Sequence, residues 1–177
     1  MPIKHLDIGI AGAGPAGLSL AIYLARRGCR VTVFDQFEEP QPVGSGLLLQ
    51  PTGLTILQDL GLLPAMLERG QRIDRLYGAD ANSGRTVLNV RYSASGRGRF
   101  GLAVHRAALF NILLSAAEQA GCDFETGRAV HAIDHSGDRT RFRFLDGGES
   151  ARFDLVVDAT GAHSALRQTL PEPVRPR

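Results

Sequence analysis

A chain of 177 residues has room for one domain or one and a half, and a hydrophobic content of 44% is enough for a real core. The formal net charge of +2 is too small to argue for nucleic acid, and the arginines that dominate the basic residues are scattered rather than clustered. Lys4 is the only lysine, which excludes lysine-dependent mechanisms unless Lys4 serves. Cys29 and Cys122 are isolated, with neither a CxxC nor a metal-ligand spacing, so the expectation is free thiols in a reducing compartment. No charged-then-apolar leader opens the chain and no apolar run is long enough to span a bilayer, so the reading is a cytoplasmic protein with no membrane partner.

The chain is organised around Ile8-Gly9-Ile10-Ala11-Gly12-Ala13-Gly14-Pro15-Ala16-Gly17. It reads as an apolar strand, a glycine turn and the first turn of a helix. In a dinucleotide-binding reading Gly12 permits the tight turn, Gly14 lets a pyrophosphate approach the backbone, and Gly17 lets helix and strand pack closely. Pro15 and Ala16 open the helix, whose N-terminus presents unpaired N–H groups to phosphate. Leu18–Arg27 continues as an amphipathic helix with Arg26 and Arg27 in its last turn and Gly28 as its stop. Val31–Phe34 is a second strand, ending at Asp35 with Gln36 beside it. An acid about 20 residues past the glycines is the expected partner of a ribose hydroxyl, and it would repel a 2′-phosphate. The competing reading is a glycine turn in an ordinary βαβ unit with a solvated acid.

Residues 36–50 read as a loop punctuated by Pro40, Pro42, Gly44 and Gly46. Gly44-Ser45-Gly46 ahead of three leucines fits either backbone passing close to something flat or a surface loop entering a buried strand. Pro51–Leu60 and Pro64–Arg69 predict two helices stopped by Gly61 and Gly70. Arg72–Tyr77 and Arg85–Val90 then predict two antiparallel strands around an Asn82-Ser83-Gly84 turn, a break in the βαβ rhythm. Ser93–Arg99 is a polar loop. Phe100–Val104 predicts a strand, and Ala107–Ala120 a helix with Leu109, Ile112, Leu113, Ala116 and Ala120 on its apolar face. Ala129–Ile133, Thr140–Leu145 and Ala151–Phe153 predict a three-stranded meander packed through Phe142, Phe144 and Phe153. Leu155–Gly161 is a continuous apolar strand of the buried parallel type, with a helix start predicted at Ser164. No residues stand out as a general acid or base. His131 and His135 fall on a strand and its turn, Asp154 and Asp158 flank a strand, and no metal site is expected.

Four stretches, in order, resemble the N-terminal part of a class A, aromatic-hydroxylase-like FAD-dependent monooxygenase. They are Gly12–Gly17 with Asp35; Gly44-Ser45-Gly46 through Gln50-Pro51-Thr52-Gly53 and Leu60-Gly61-Leu62; His105-Arg106-Ala107-Ala108-Leu109; and Asp154–Arg167. The resemblance implies an α/β fold: a Rossmann-like FAD-binding domain, its parallel sheet flanked by helices, with an antiparallel β-meander and part of a substrate-domain sheet. The implied division is 1–70 and 100–170 for FAD binding, 71–99 for a partial substrate-domain hairpin, and 171–177 for a tail, with the C-terminal part of the family's fold absent.

The implied cofactor residues are Gly12, Gly14, Pro15, Ala16, Gly17, Asp35, Gln36, Gly46, Arg106, Thr160 and Gly161. Arg106 takes the place of the family arginine that reaches the flavin's phosphate or ribityl chain, since guanidinium pairs well with phosphate. The implied activity is a monooxygenase using FAD, with NAD(P)H as co-substrate and O₂, to hydroxylate a small, aromatic molecule. The chemistry then lies in the cofactor. Two departures matter. Thr160 replaces the family aspartate, and Pro42-Val43 stands where many relatives carry an arginine. Ala159-Thr160-Gly161 is closer to the turn of a wider set of FAD oxidoreductases, so an FAD-dependent reductase or cyclase remains an alternative. A non-catalytic FAD- or nucleotide-binding fragment and an NAD-dependent dehydrogenase remain too. The partner expectations are a small-molecule substrate and either self-association or a missing C-terminal half.

Overall fold

The computed structural model describes residues 5–39 and 44–169. In chain order the elements begin with strand β1 (Asp7–Ala11), helix α1 (Pro15–Ala25) and strand β2 (Arg30–Phe34). Strand β3 (Gly46–Leu49), helices α2 (Pro51–Asp59) and α3 (Leu63–Leu67), and strands β4 (Gly70–Ile73), β5 (Arg75–Ala79), β6 (Thr86–Arg91) and β7 (Gly101–His105) follow. Helix α4 (Arg106–Gln119) leads to strands β8 (Asp123–Glu125), β9 (Val130–Asp134), β10 (Arg141–Phe144) and β11 (Leu155–Asp158). The chain divides into two compact units, residues 1–41 with 113–177 and residues 42–112.

In the first unit four strands form a parallel sheet in the order β11-β1-β2-β8. Ile8, Ile10, Ala11, Val31, Val33 and Phe34 are all buried, as strands of a covered parallel sheet must be. Helix α1 buries Gly17, Leu18, Ala21, Ile22 and Leu24. The antiparallel pair β9–β10 supplies aromatic cover. Phe142 meets Phe34 edge-on with ring centroids 5.4 Å apart, and Phe153 does so at 5.9 Å. Phe144, Ala11 and Leu166 complete this cluster. Gly9 makes it possible, because a Cβ there would lie 2.8 Å from the Phe153 ring.

Several sequence expectations need correction in this unit. Ala151–Phe153 forms no third strand of a meander; Phe153 reaches the pair only through a bridge to Thr140, and Ser150 and Phe142 exchange single bonds. Arg26 is the C-cap of α1 rather than part of its last turn, and Arg27 folds back so that its guanidinium lies 3.3 Å from the centre of the Tyr23 ring. No α-helix starts at Ser164; a 3₁₀ turn covers Leu166–Thr169 instead. Cys29 and Cys122 are buried thiols, neither of them in a disulfide. Each follows a left-handed glycine, Gly28 or Gly121, that closes a helix, and burial pushes the Cys122 thiol up to about 11.

In the second unit β7 is the centre of an antiparallel sheet of order β3-β7-β4. Gly70 lets β4 lie close on it, since a Cβ would sit 2.7 Å from the Leu102 and Val104 side chains. The single strand expected over Arg72–Tyr77 is broken at Asp74 into β4 and β5, which belong to different sheets. The break has one local and one distant partner. The Asp74 carboxylate takes a 2.9 Å bond from Arg72 Nε, and its carbonyl accepts the Tyr92 N–H. Strands β5 and β6 form a hairpin whose Tyr77, Val87, Leu88 and Val90 are all exposed. Its turn is closed by Asp80, which accepts the Ser83 N–H at 2.7 Å and the Ser83 hydroxyl at 2.6 Å.

Candidate functional site

The glycine turn between β1 and α1 is held by contacts that leave no room for side chains at two of its three glycines. Gly12 has φ +103°, and a Cβ there would meet the Ala159 carbonyl oxygen at 2.6 Å. A Cβ on Gly17 would lie 2.0 Å from the Gly12 carbonyl oxygen, so helix and strand are as close as backbones allow. At Gly14 a Cβ would meet nothing within 4 Å. Gly14 is the N-cap of α1, with Pro15 at its first position and no side chain capping it. The first helical bond runs from the Leu18 N–H to the Gly14 carbonyl at 2.9 Å. The N–H groups of Ala16 and Gly17 precede that bond, so the helix itself gives them no acceptor. Open space over Gly14 and donors at a positive helix end make an anion seat.

Asp35, just beyond β2, reaches back to this turn. Its Oδ2 accepts the Ala13 N–H at 2.7 Å, and its Oδ1 accepts the Phe37 N–H at 3.0 Å. A carboxylate has about four lone-pair positions, so two remain for further donors. The backbone of Asp35 is tied on both sides: its N–H donates to the Glu125 carbonyl at 3.1 Å and its carbonyl accepts the Arg128 N–H at 2.8 Å. Gln36 is exposed on the loop that follows.

The turn after β11 flanks the glycines through Ala159. Asp158 organises it. One oxygen, Oδ1, accepts the Thr160 N–H at 3.0 Å and the Thr160 hydroxyl at 2.6 Å, and the Ser164 hydroxyl donates to the other. Arg167 donates to the Ala162 carbonyl at 2.7 Å and the Gly161 carbonyl at 3.3 Å. Burial raises the Asp158 pKa, but the bonds from Ser164 and Thr160 and the Arg167 charge outweigh it and hold the carboxyl below its ordinary value. Thr160 therefore spends its hydrogen-bonding groups inside the turn, and Gly161 sits at φ +91° with open space where a Cβ would be. The role of Asp158 was not legible in the sequence, where it read as a strand end.

Gly46 and Arg106 lie in the other unit and are brought together there. Gly46 pairs with His105 across β3 and β7, and the Arg106 N–H donates to the Ser45 carbonyl at 3.1 Å. Gly44, at φ +99°, lies against the Arg106 side chain, whose Nε is 3.1 Å from the position of a Cβ. Gly46 also borders a cleft of about 500 Å³ with Leu47 and Val104 on its apolar side and Glu68, Arg69 and His105 on its polar side.

The family model described as FAD binding domain matches residues 5–176. The chain belongs to that family. FAD is accordingly the group against which the site is judged, and the first unit fits it. Nothing lies within 4 Å of the position of a Cβ on Gly14, the helix leaves the N–H groups of Ala16 and Gly17 without an acceptor, and the Asp35 carboxylate is bonded to the neighbouring Ala13 with acceptor positions to spare, which is the donor and acceptor set a dinucleotide needs.

Among curated relatives of this FAD-binding chain, 3-amino-4-hydroxybenzoate 2-monooxygenase of Streptomyces cremeus is 33% identical over 171 residues, covering 94% of this chain and 42% of the relative. The 6-hydroxynicotinate 3-monooxygenase of Bordetella bronchiseptica is 30% identical, covering 92% of this chain and 43% of the relative. Among solved structures, 2-methyl-3-hydroxypyridine-5-carboxylic acid oxygenase superposes with a TM-score of 0.79 at 26% identity, over 94% of this chain and 42% of that one. A single-substitution variant of Klebsiella pneumoniae HpxO complexed with FAD gives 0.75 at 26% identity, over 93% and 42%. The chain thus spans about two-fifths of the length of the relatives it matches. No helix of the described residues is long and apolar enough to cross a membrane.

Proposed function

We propose that this chain is the FAD-binding part of a monooxygenase that uses NAD(P)H and O₂ to hydroxylate a small aromatic substrate. The observation that carries the reading is the Asp35 carboxylate bonded to Ala13 beside the void over Gly14. When bound, the flavin supplies the redox chemistry: hydride acceptance from NAD(P)H and delivery of one oxygen atom from O₂ to an electron-rich ring. The residues of this chain bind and orient. Ala16 and Gly17 donate to the diphosphate, with Pro15 fixing the helix start and Gly12 and Gly17 holding the turn closed. Asp35 accepts ribose hydroxyls, and the backbone at Gln36 follows the nucleotide. Arg106 and Gly46 serve the flavin end, and Gly161 leaves its backbone open toward the cofactor while Thr160 braces the turn. The hairpin of residues 71–99 belongs to the substrate side, with 1–70 and 100–170 on the cofactor side.

The named relatives act on hydroxylated aromatic acids, and a substrate of that chemistry is proposed here. One structural relative has a tetrameric form, and the exposed Tyr77, Val87, Leu88 and Val90 support self-association of this chain. A cytoplasmic setting is consistent with the two reduced, buried thiols.

A second reading, an FAD-dependent reductase or cyclase, is favoured by Thr160 in place of the family aspartate and by its turn onto Asp158. The test is direct. Purified chain mixed with FAD and desalted should stay yellow. NAD(P)H oxidation that rises on adding a hydroxybenzoate or hydroxypyridine carboxylate supports the hydroxylase; NAD(P)H oxidation that such an acid does not raise favours the second reading; retained flavin with no turnover at all supports a non-catalytic FAD-binding fragment; loss of all flavin sinks all three.

A further inference from the structure

We propose that the ring of Phe37 is the platform on which the adenine of the bound dinucleotide stacks. This inference rests on the FAD reading above and adds a base-binding residue to it.

The sequence contains eight phenylalanines, and Phe37, at 45% exposure, is the exposed one among them. A single apolar side chain on a surface needs no explanation by itself. Here its position and its fixation do. The Phe37 N–H donates to Asp35 Oδ1 at 3.0 Å, so the residue that would grip the ribose also anchors the residue carrying the ring. Its carbonyl accepts the Gly127 N–H at 3.0 Å, and the Arg128 N–H holds the Asp35 carbonyl at 2.8 Å. The loop is therefore tied to the segment after β8 at two points. A ring on a pinned backbone loses little freedom when a base settles on it.

The spacing agrees. Two residues of extended chain reach about 7 Å, which is the scale of a ribose with its base attached. A sugar held at the Asp35 carboxylate places its base within reach of Phe37. Aromatic faces accept any base, because stacking uses the π-surface rather than the hydrogen-bonding edge. The guanidinium of Arg128, whose backbone holds Asp35, is otherwise engaged: it pairs with Asp146 at 3.0 Å and lies over the Phe144 ring. Glu38, whose Cγ lies 3.8 Å from the position of a Cβ on Gly127, offers a charge and no stacking face.

The experiment titrates the full chain, Phe37→Ala and Phe37→Tyr with FAD, with ADP and with fluorescent etheno-ADP. The inference expects wild type and Phe37→Tyr to bind alike, and Phe37→Ala to bind both FAD and ADP about ten-fold more weakly. It also expects bound etheno-ADP to be quenched in wild type and less quenched in Phe37→Ala, at an unchanged thermal midpoint. Equal ADP affinity and equal quenching in Phe37→Ala and wild type would overturn the inference and leave the FAD reading standing. A Phe37→Ala chain with a lowered midpoint and unchanged quenching of what it binds would overturn it as well. A wild-type chain that binds neither FAD nor ADP would overturn both.

Discussion

The Ala13 N–H donates to Asp35 Oδ2 at 2.7 Å, joining the turn that would carry the phosphates to the strand end that would carry the ribose. The two residues are 22 apart in sequence, and the bond fixes one side of the site relative to the other before any ligand arrives. Preorganisation of this kind lowers the cost of binding.

Asp35→Asn tests that bond. The amide keeps one acceptor oxygen but must turn its NH₂ toward either Ala13 or Phe37, both of which donate. One bond is lost and two donors face each other, for about 1–2 kcal/mol of stability. The charged acceptor for ribose hydroxyls also goes, so FAD affinity should fall by roughly ten- to a hundred-fold. Fluorescence titration and a urea melt read the two effects separately. Unchanged affinity would remove Asp35 from the cofactor site.

The three glycines should separate binding from folding. At Gly17 an added Cβ collides with the Gly12 carbonyl, so Gly17→Ala should cost at least ~3 kcal/mol or prevent folding. Gly14→Ala adds a methyl where nothing lies within 4 Å, so the thermal midpoint should hold. The same methyl enters the space proposed for the diphosphate, and FAD binding should drop steeply. A Gly14→Ala chain that binds FAD like wild type would move the diphosphate elsewhere.

These positions were legible in the sequence because their constraints are local. A strand, a glycine turn and a helix start are encoded within ten residues, and the acid follows one βα repeat later. Periodicity likewise placed α4, and short apolar runs placed β1, β2 and β11. What the sequence could not reveal were relationships across long separations or between equal local options. The break at Asp74 depends in part on Tyr92, eighteen positions away, which donates its N–H to the Asp74 carbonyl from the 3₁₀ turn that follows β6. The failure of Ala151–Phe153 to form a full strand follows from Phe153 being drawn onto Phe34 and Phe142. Asp158 looked like any strand-end carboxylate until Ser164 folded back onto it.

That fold-back gives a third prediction. Ser164 donates to Asp158, and its oxygen accepts the Leu166 N–H at 3.1 Å, so it links the turn to the 3₁₀ segment that buries Leu166. Ser164→Ala should cost about 1 kcal/mol, and Asp158→Asn, which disturbs three donors at once, about 2 kcal/mol. The Asp158 pKa is depressed in the folded state, so its stabilisation is present above the ordinary carboxyl pKa and is lost as pH falls below it. Asp158→Asn should therefore matter least in acid. A penalty that is constant from neutral to acid pH would contradict the arrangement.

Acid should also act at the opposite end of the sheet. Asp7 opens β1, where it pairs with Arg30 and Arg139, and its N–H donates to Asp154 at 2.8 Å. Arg139 completes the ring by pairing with Asp154 at 3.0 Å. The bonds from Arg30 first, then Arg139, bring the Asp7 carboxyl from 3.8 down to about 2. A folded pKa below the unfolded one means stability that is full above pH 3.8 and drains away as pH falls through about 2. Urea melts across that window should show wild type losing stability faster than Asp7→Asn, which lacks the titrating group and starts from a lower value at neutral pH. Salt should shrink the difference, since Arg30 is largely exposed. Parallel acid limbs for the two proteins would mean that the ring of charges does not hold β1 and β2 to the β9–β10 side.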